Sequence, residues 1–92
     1  MPHPPLELLK STHTFPCVYT YKAIGSGPEF ESEVVRTVQN AAGLEKPPHH
    51  SRRQSSSGKH LSLTIEVHVD SAERVLAIYA AIERVEGLSL LL

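Results

Sequence analysis

The chain predicts an α+β sandwich of element order β-α-β-β-α-β, a four-stranded antiparallel sheet with two helices on one face. Residues 15–43 and 61–87 share one grammar: an alternating apolar strand, a hinge, then an amphipathic helix closed by glycine. A polar stretch before the second unit and an apolar run after its helix supply the other two strands. Ninety-two residues make one domain, with no room for a second core.

Residues 1–14 are broken by prolines and polar residues, and read as a loose arm with one helical turn around residues 6–9. The domain proper is residues 15–92. In the first strand, 15–24, Phe15, Cys17, Tyr19, Tyr21 and Ala23 point one way, and Val18, Thr20, Lys22 and Ile24 the other. Gly25-Ser26-Gly27-Pro28 breaks it. Pro28 suits the first helical position, and Glu29, Glu31 and Glu33 sit where the helix dipole favours negative charge. Phe30, Val34, Val35, Val38, Ala41 and Ala42 form the helical stripe, and Gly43 supplies a left-handed exit.

From 44 to 58 the signal fades. Pro47-Pro48 is a loop, and 49–57 is polar without apolar alternation. A strand there belongs at a sheet edge, where Arg52 and Arg53 discourage pairing with other chains. Residues 61–69 alternate most strictly, Leu61, Leu63, Ile65, Val67 and Val69 against Ser62, Thr64, Glu66 and His68. That strand should be central, with one face buried and one wet. Asp70 and Glu73 have capping-box spacing. Val75, Ile78, Tyr79, Ile82 and Val85 form the second buried stripe, Gly87 ends the helix, and 88–92 is the last strand. Right-handed crossovers place both helices on the apolar face. The opposite face then carries Thr20, Lys22, Ser62, Thr64, Glu66 and His68, uncovered and suited to a partner.

Composition narrows function mainly by exclusion. The chain is 40% apolar and 21% charged with net charge −1, which makes no electrostatic case for nucleic acid, membrane or an acidic substrate. One cysteine excludes an internal disulfide framework and fits a reducing compartment. No apolar run reaches the length of a bilayer span, and the start has no export signal, so a cytoplasmic setting is expected.

Phe15-Pro16, Tyr19-Thr20-Tyr21-Lys22, Gly25, Ser55-Ser56-Ser57-Gly58, residues 62–65, Glu73, Val75 and Tyr79 together resemble the small bacterial YbeD-like family of unknown function. The resemblance spans residues 6–92 and rests on scattered positions, not on a catalytic signature. It implies a ferredoxin-like sandwich similar to ACT regulatory domains, small modules that bind amino acids or other metabolites and transmit the event to an enzyme. ACT-like domains place effectors near the first strand-to-helix turn, which here implies Gly25, Ser26 and Gly27. The His49-His50 pair and Arg52-Arg53 depart from the family pattern.

Each chemically suggestive residue also has a plain structural reading. Six histidines invite a metal, yet His49 and His50 are adjacent and point apart, and His3 and His13 lie on the arm. His60 and His68 share a face but stand roughly 26 Å apart along a strand. No metal or cofactor is expected. Cys17 with a histidine mimics a thiol nucleophile, but alternates with Phe15 and Tyr19, so an inert buried thiol is the better reading. The Gly25-Ser26-Gly27 turn is too short for a Walker loop and lacks the third glycine of a dinucleotide fingerprint. Three glutamates after it repel phosphate, so an amino acid suits it better than a nucleotide.

No nucleophile, base and orienting group can be placed together, so no catalytic residue is assigned. The expectation is a non-enzymatic regulatory or interaction module, homodimeric through its apolar last strand or open face, contacting a partner protein or small metabolite. The rival is an RNA- or nucleic-acid-binding protein using Lys22, Arg52, Arg53 and Lys59 against phosphates. It is weaker, because Tyr19 and Tyr21 fall on the core side and leave no stacking platform.

Overall fold

The computed structural model describes residues 3–92. Their elements run α1 (Leu6–Thr12), β1 (Cys17–Gly25), α2 (Phe30–Ala42), β2 (His49–Gln54), β3 (Leu61–Val69), α3 (Ala72–Ile82) and β4 (Leu88–Leu91). The four strands form one antiparallel sheet in the order β2-β3-β1-β4. As the alternation predicts, β3 is central, β1 lies beside it, and the polar β2 and short β4 are the edges.

β1 and β3 pair without interruption from Cys17 opposite Val69 to Gly25 opposite Leu61. This register turns Tyr21, Ala23, Leu63, Ile65, Val67 and Val69 to one face, where each is fully or almost fully buried. Phe30, Val34 and Val38 of α2 and Val75, Ile78, Tyr79 and Ile82 of α3 complete the same cluster. Both helices therefore cover the apolar face, and the other is left to solvent.

Helix ends differ slightly from the sequence expectation. α2 starts at Phe30 with Glu29 at its N-cap, so Pro28 belongs to the preceding turn. α3 is capped by Ser71, whose hydroxyl accepts the Arg74 amide at 3.1 Å. Asp70 stands one residue too early for that role. Gly43 ends α2 in the left-handed conformation at φ 67°, as expected.

The larger correction concerns the N-terminal segment, expected to be loose. Residues 6–12 form a third helix, and its Leu9 is 1% exposed within the core. The segment lies along α3. Lys10 pairs with Glu73 at 3.3 Å, His3 pairs with Glu83, and the His3 ring stacks on Tyr79 at 5.0 Å. The backbone amide of Glu73, and then Lys10, holds the Glu73 carboxyl below its usual range. One buried leucine outweighs what the sparse pattern suggested, because a side chain that size contributes about 1.5–3 kcal/mol when fully buried.

The three tyrosines form one cluster. Tyr21 donates its hydroxyl to the Val75 carbonyl at 2.9 Å, and the Tyr19 and Tyr79 hydroxyls lie 2.9 Å apart. Burial, and then the neighbouring Tyr79 and Tyr19, push the Tyr21 phenol far above its usual value. Burial, and then the hydrogen bond to Tyr19, does the same to Tyr79.

One close approach fixes the β1–α2 turn. The Ser26 amide donates to the Gly87 carbonyl at 3.0 Å, tying the end of β1 to the turn before β4. A Cβ at Gly25 would lie 2.5 Å from both the Gly87 oxygen and the Phe30 ring. Gly87 has φ 91°, and a Cβ there would collide with the Ser26 carbonyl. Neither position tolerates a side chain.

Three outcomes follow in chemical denaturation. Leu9→Ala costs about 2–5 kcal/mol if the first helix is part of the core, whereas a frayed arm would show almost none. Gly25→Ala costs about 1–3 kcal/mol through overpacking. Because the Tyr21 and Tyr79 phenols are raised on folding, their contribution is intact at neutral pH and is lost as alkali ionises the unfolded chain. The urea midpoint should hold level up to about pH 10 and fall above it. A midpoint that stays level or rises well beyond that pH would contradict the burial of these phenols.

Candidate functional site

A cleft of about 310 Å³ opens between the β1–α2 turn and the β2–β3 hairpin. Ser26 and Gly27 form one wall, with Glu31 on the first turn of α2 beside them. Arg52, Lys59 and His60 form the other. The site thus combines a glycine-containing backbone turn, one carboxylate and a set of cationic or ionisable donors.

Alternation along β2 explains how Arg52 gets there. His50, Arg52 and Gln54 stand opposite the buried Ile65 and Leu63 and the half-buried Leu61, so they face the helix side. The helix layer does not extend over this edge, which leaves Arg52 exposed and reaching towards α2. Glu31 receives both neighbours: Arg52 Nε at 3.5 Å and His50 Nε2 at 3.4 Å. His50 Nδ1 donates to the Pro48 carbonyl at 3.0 Å, which fixes the ring. Lys59 and the His60 ring have no polar side-chain partner among the described residues, so their donors remain available to the cleft.

Of the three turn residues expected to bind a ligand, Ser26 and Gly27 line the cleft. Gly25 does not. It is buried beneath the turn against Gly87 and Phe30, and its role is close packing. Glu31, Arg52, Lys59 and His60 were missed as a group, because only the folded hairpin brings residues 52, 59 and 60 to residue 31. The available signal was the parity of β2: Arg52 lies an even number of residues from His50, on the face opposite His49 and Arg53.

The open sheet face also takes shape from register. Thr20 stands opposite Glu66, Lys22 opposite Thr64, Val18 opposite His68 and Ile24 opposite Ser62. All six residues expected on this face, Thr20, Lys22, Ser62, Thr64, Glu66 and His68, lie on it, joined by His49, Ser51 and Arg53 of β2. The face is less uniformly polar than the strand pattern suggested. Its β1–β4 side is apolar, with Val18 56%, Leu90 44% and Leu92 58% exposed.

The histidines scatter. His49 meets Glu66 on the open face at 3.7 Å while His50 meets Glu31 on the other, so the adjacent pair does point apart. Among the described residues no three histidine, cysteine or acidic side chains converge as metal ligands would. Cys17 is half-buried against the core, less enclosed than its alternation suggested. Among the described residues, no helix is long and apolar enough to cross a membrane.

Known proteins place this geometry. A UPF0250 protein of Neisseria gonorrhoeae is 36% identical over 69 residues, covering 74% of this chain and 76% of that protein. A UPF0250 protein of Shewanella amazonensis is 34% identical over 74 residues, covering 79% of this chain and 82% of that protein. In fold, the chain is similar to the solution structure of protein HP0495 from H. pylori, with a TM-score of 0.76. That likeness covers 100% of this chain and 98% of that one at 18% identity, so it speaks to architecture alone. Residues 10–92 match the family described as "Protein of unknown function (DUF493)", and the chain belongs to that family, the YbeD-like group its residues resemble.

Proposed function

We propose that this chain is a non-enzymatic, ACT-like regulatory module that binds a small amino acid at the hairpin cleft and contacts a partner protein through its open sheet face. The observation that carries this reading is the pairing of charges across the cleft. Arg52 and Lys59 suit a carboxylate, and Glu31 beside the turn suits an ammonium group. A zwitterion satisfies both. A nucleotide does not, because Glu31 opposes its phosphates.

Size agrees. A volume of about 310 Å³ lies at the small end of ligand sites, which run from roughly 300 to 1,000 Å³. The strand order β2-β3-β1-β4, with α2 and α3 on one face, supports the ferredoxin-like description that ACT-like modules share. Thr20, Lys22, Ser62, Thr64, Glu66 and His68 are the partner-facing set. The bare apolar side at Leu90 and Leu92 is where a homodimer would pack. The mechanism is population shift: an occupied cleft favours one arrangement of the hairpin and so changes the partner's affinity. RNA is disfavoured because no phenylalanine or tyrosine projects from the open face for bases to stack on.

Thermal unfolding of the full chain in the presence of each free amino acid tests the cleft. A true ligand at a hundred times its dissociation constant adds about 2.7 kcal/mol, which raises Tm by several degrees in a domain this size. The shift should persist when salt is raised, and should vanish in Arg52→Ser. That substitution removes only an exposed ion pair, worth about 1 kcal/mol or less, and leaves the fold intact. No shift with any amino acid, or an equal shift in Arg52→Ser, overturns the reading.

A further inference from the structure

On the other side of the same hairpin, the open face holds a recess of about 280 Å³. Ile24 forms an aliphatic floor, Ser62 and Ser55 supply hydroxyls, and Lys22, Arg53 and His60 stand around it. No carboxylate lines it. Leu90 stands directly across from Ile24 and continues the floor towards the apolar edge. We infer that this recess receives an acidic segment of a partner protein, one that carries carboxylates on either side of an apolar side chain. The inference rests on the reading of the open face as a partner surface and specifies the chemistry of what binds there.

Charge is the first argument. Lys22 and Arg53 have no carboxylate partner among the described residues, although they crowd the same end of the sheet. Among the described residues, the one acidic side chain that the paired strands turn to this face, Glu66, sits further along β3 beside His49. An anion placed over Ser62, between the strands that bear the two cations, would meet both. The strands bearing Lys22 and Arg53 flank β3, and their paired residues Thr64 and Ser62 are two apart. Their Cα atoms therefore stand roughly 12 Å apart. Side chains of that reach bracket an extended peptide, whose alternate residues project to the same side about 7 Å apart.

The floor is the second argument. A recess built for phosphate alone needs no apolar base, whereas a peptide gains most of its affinity from a buried apolar anchor, with rim charges setting selectivity and encounter rate. Single-stranded RNA offers phosphates to Lys22 and Arg53, but it also needs rings to stack on, and this face projects neither phenylalanine nor tyrosine. The acidic peptide fits both halves of the recess.

Selection of a random heptapeptide display library on the full chain at near-physiological salt tests this, with a twelve-residue oligouridine as the nucleic-acid probe. The expected outcome is enrichment of peptides with at least two aspartates or glutamates around a leucine, isoleucine or phenylalanine. Binding of those peptides should fall tenfold or more in the Lys22→Ser/Arg53→Ser double variant and far less in Thr20→Ala/His68→Ala, whose side chains share the face but do not line the recess. All four side chains lie on the bare face, and an unchanged Tm confirms that each variant is folded. Enriched peptides without acidic bias that lose binding only in Thr20→Ala/His68→Ala overturn the acidic recess while the partner face stands. No enrichment, or binding indifferent to both variants, overturns both. Oligouridine binding that is lost in the Lys22/Arg53 variant and competes with the peptides overturns the inference in favour of nucleic acid.

Discussion

The unbroken pairing of β1 with β3 governs everything else in this molecule. Nine consecutive residue pairs, from Cys17 and Val69 to Gly25 and Leu61, lock the two longest strands in one register. Because side chains alternate, a slip of one residue would carry Tyr21 and Ala23 to solvent and bury Lys22 and Thr20. The hydrophobic cluster enforces the register, and the register assigns every other residue its side. It puts Lys22 on the bare face, and it ends β1 at Gly25, where the chain must pass under Gly87 to begin α2. The close approach of Gly25 and Gly87 then sets the Ser26-Gly27 turn against the hairpin.

Where the sequence was legible, it was legible for this reason. Residues 61–69 and 15–24 alternate so strictly that strand identity, facing and centrality all follow from apolar periodicity. The α2 and α3 stripes were equally plain, since Val34 and Val38, or Val75, Ile78, Tyr79 and Ile82, recur at helical spacing. The N-terminal segment was not legible, because α1 commits only Leu9 to full burial and is flanked by prolines. A helix held by one leucine and a few polar contacts to α3 has too weak an apolar pattern to stand out. Its placement is a tertiary fact.

The cleft was half-legible. The glycine turn announces itself, but the residues that give it chemistry lie on β2 and the hairpin, which have almost no apolar signal. All of residues 51–60 are exposed, so no burial periodicity marks the strand or its facing. An edge strand can be polar on both faces because its outer side is open to water and the helices stop short of it. The same openness that hides β2 from hydrophobic patterning lets Arg52 reach Glu31 on one side while Arg53 stands free on the other.

Net charge misleads for a related reason. A value of −1 suggests a surface indifferent to anions, but charges act locally and are screened beyond about 10 Å. Of the nine lysines and arginines, Lys10, Arg36, Arg52 and Arg74 are matched to a carboxylate within 4.0 Å. Among the cations left without one, Lys22, Arg53 and Lys59 flank a single hairpin, where His60 joins them. Carboxylates gather elsewhere: Glu29 and Glu86 face another recess beyond Pro28, beside the Glu33 that pairs with Arg36. The chain is therefore nearly neutral in total and polarised in space. That polarity comes from folding the β2–β3 hairpin back on β1, which gathers cations from residues 22, 53 and 59 that the linear sequence keeps apart.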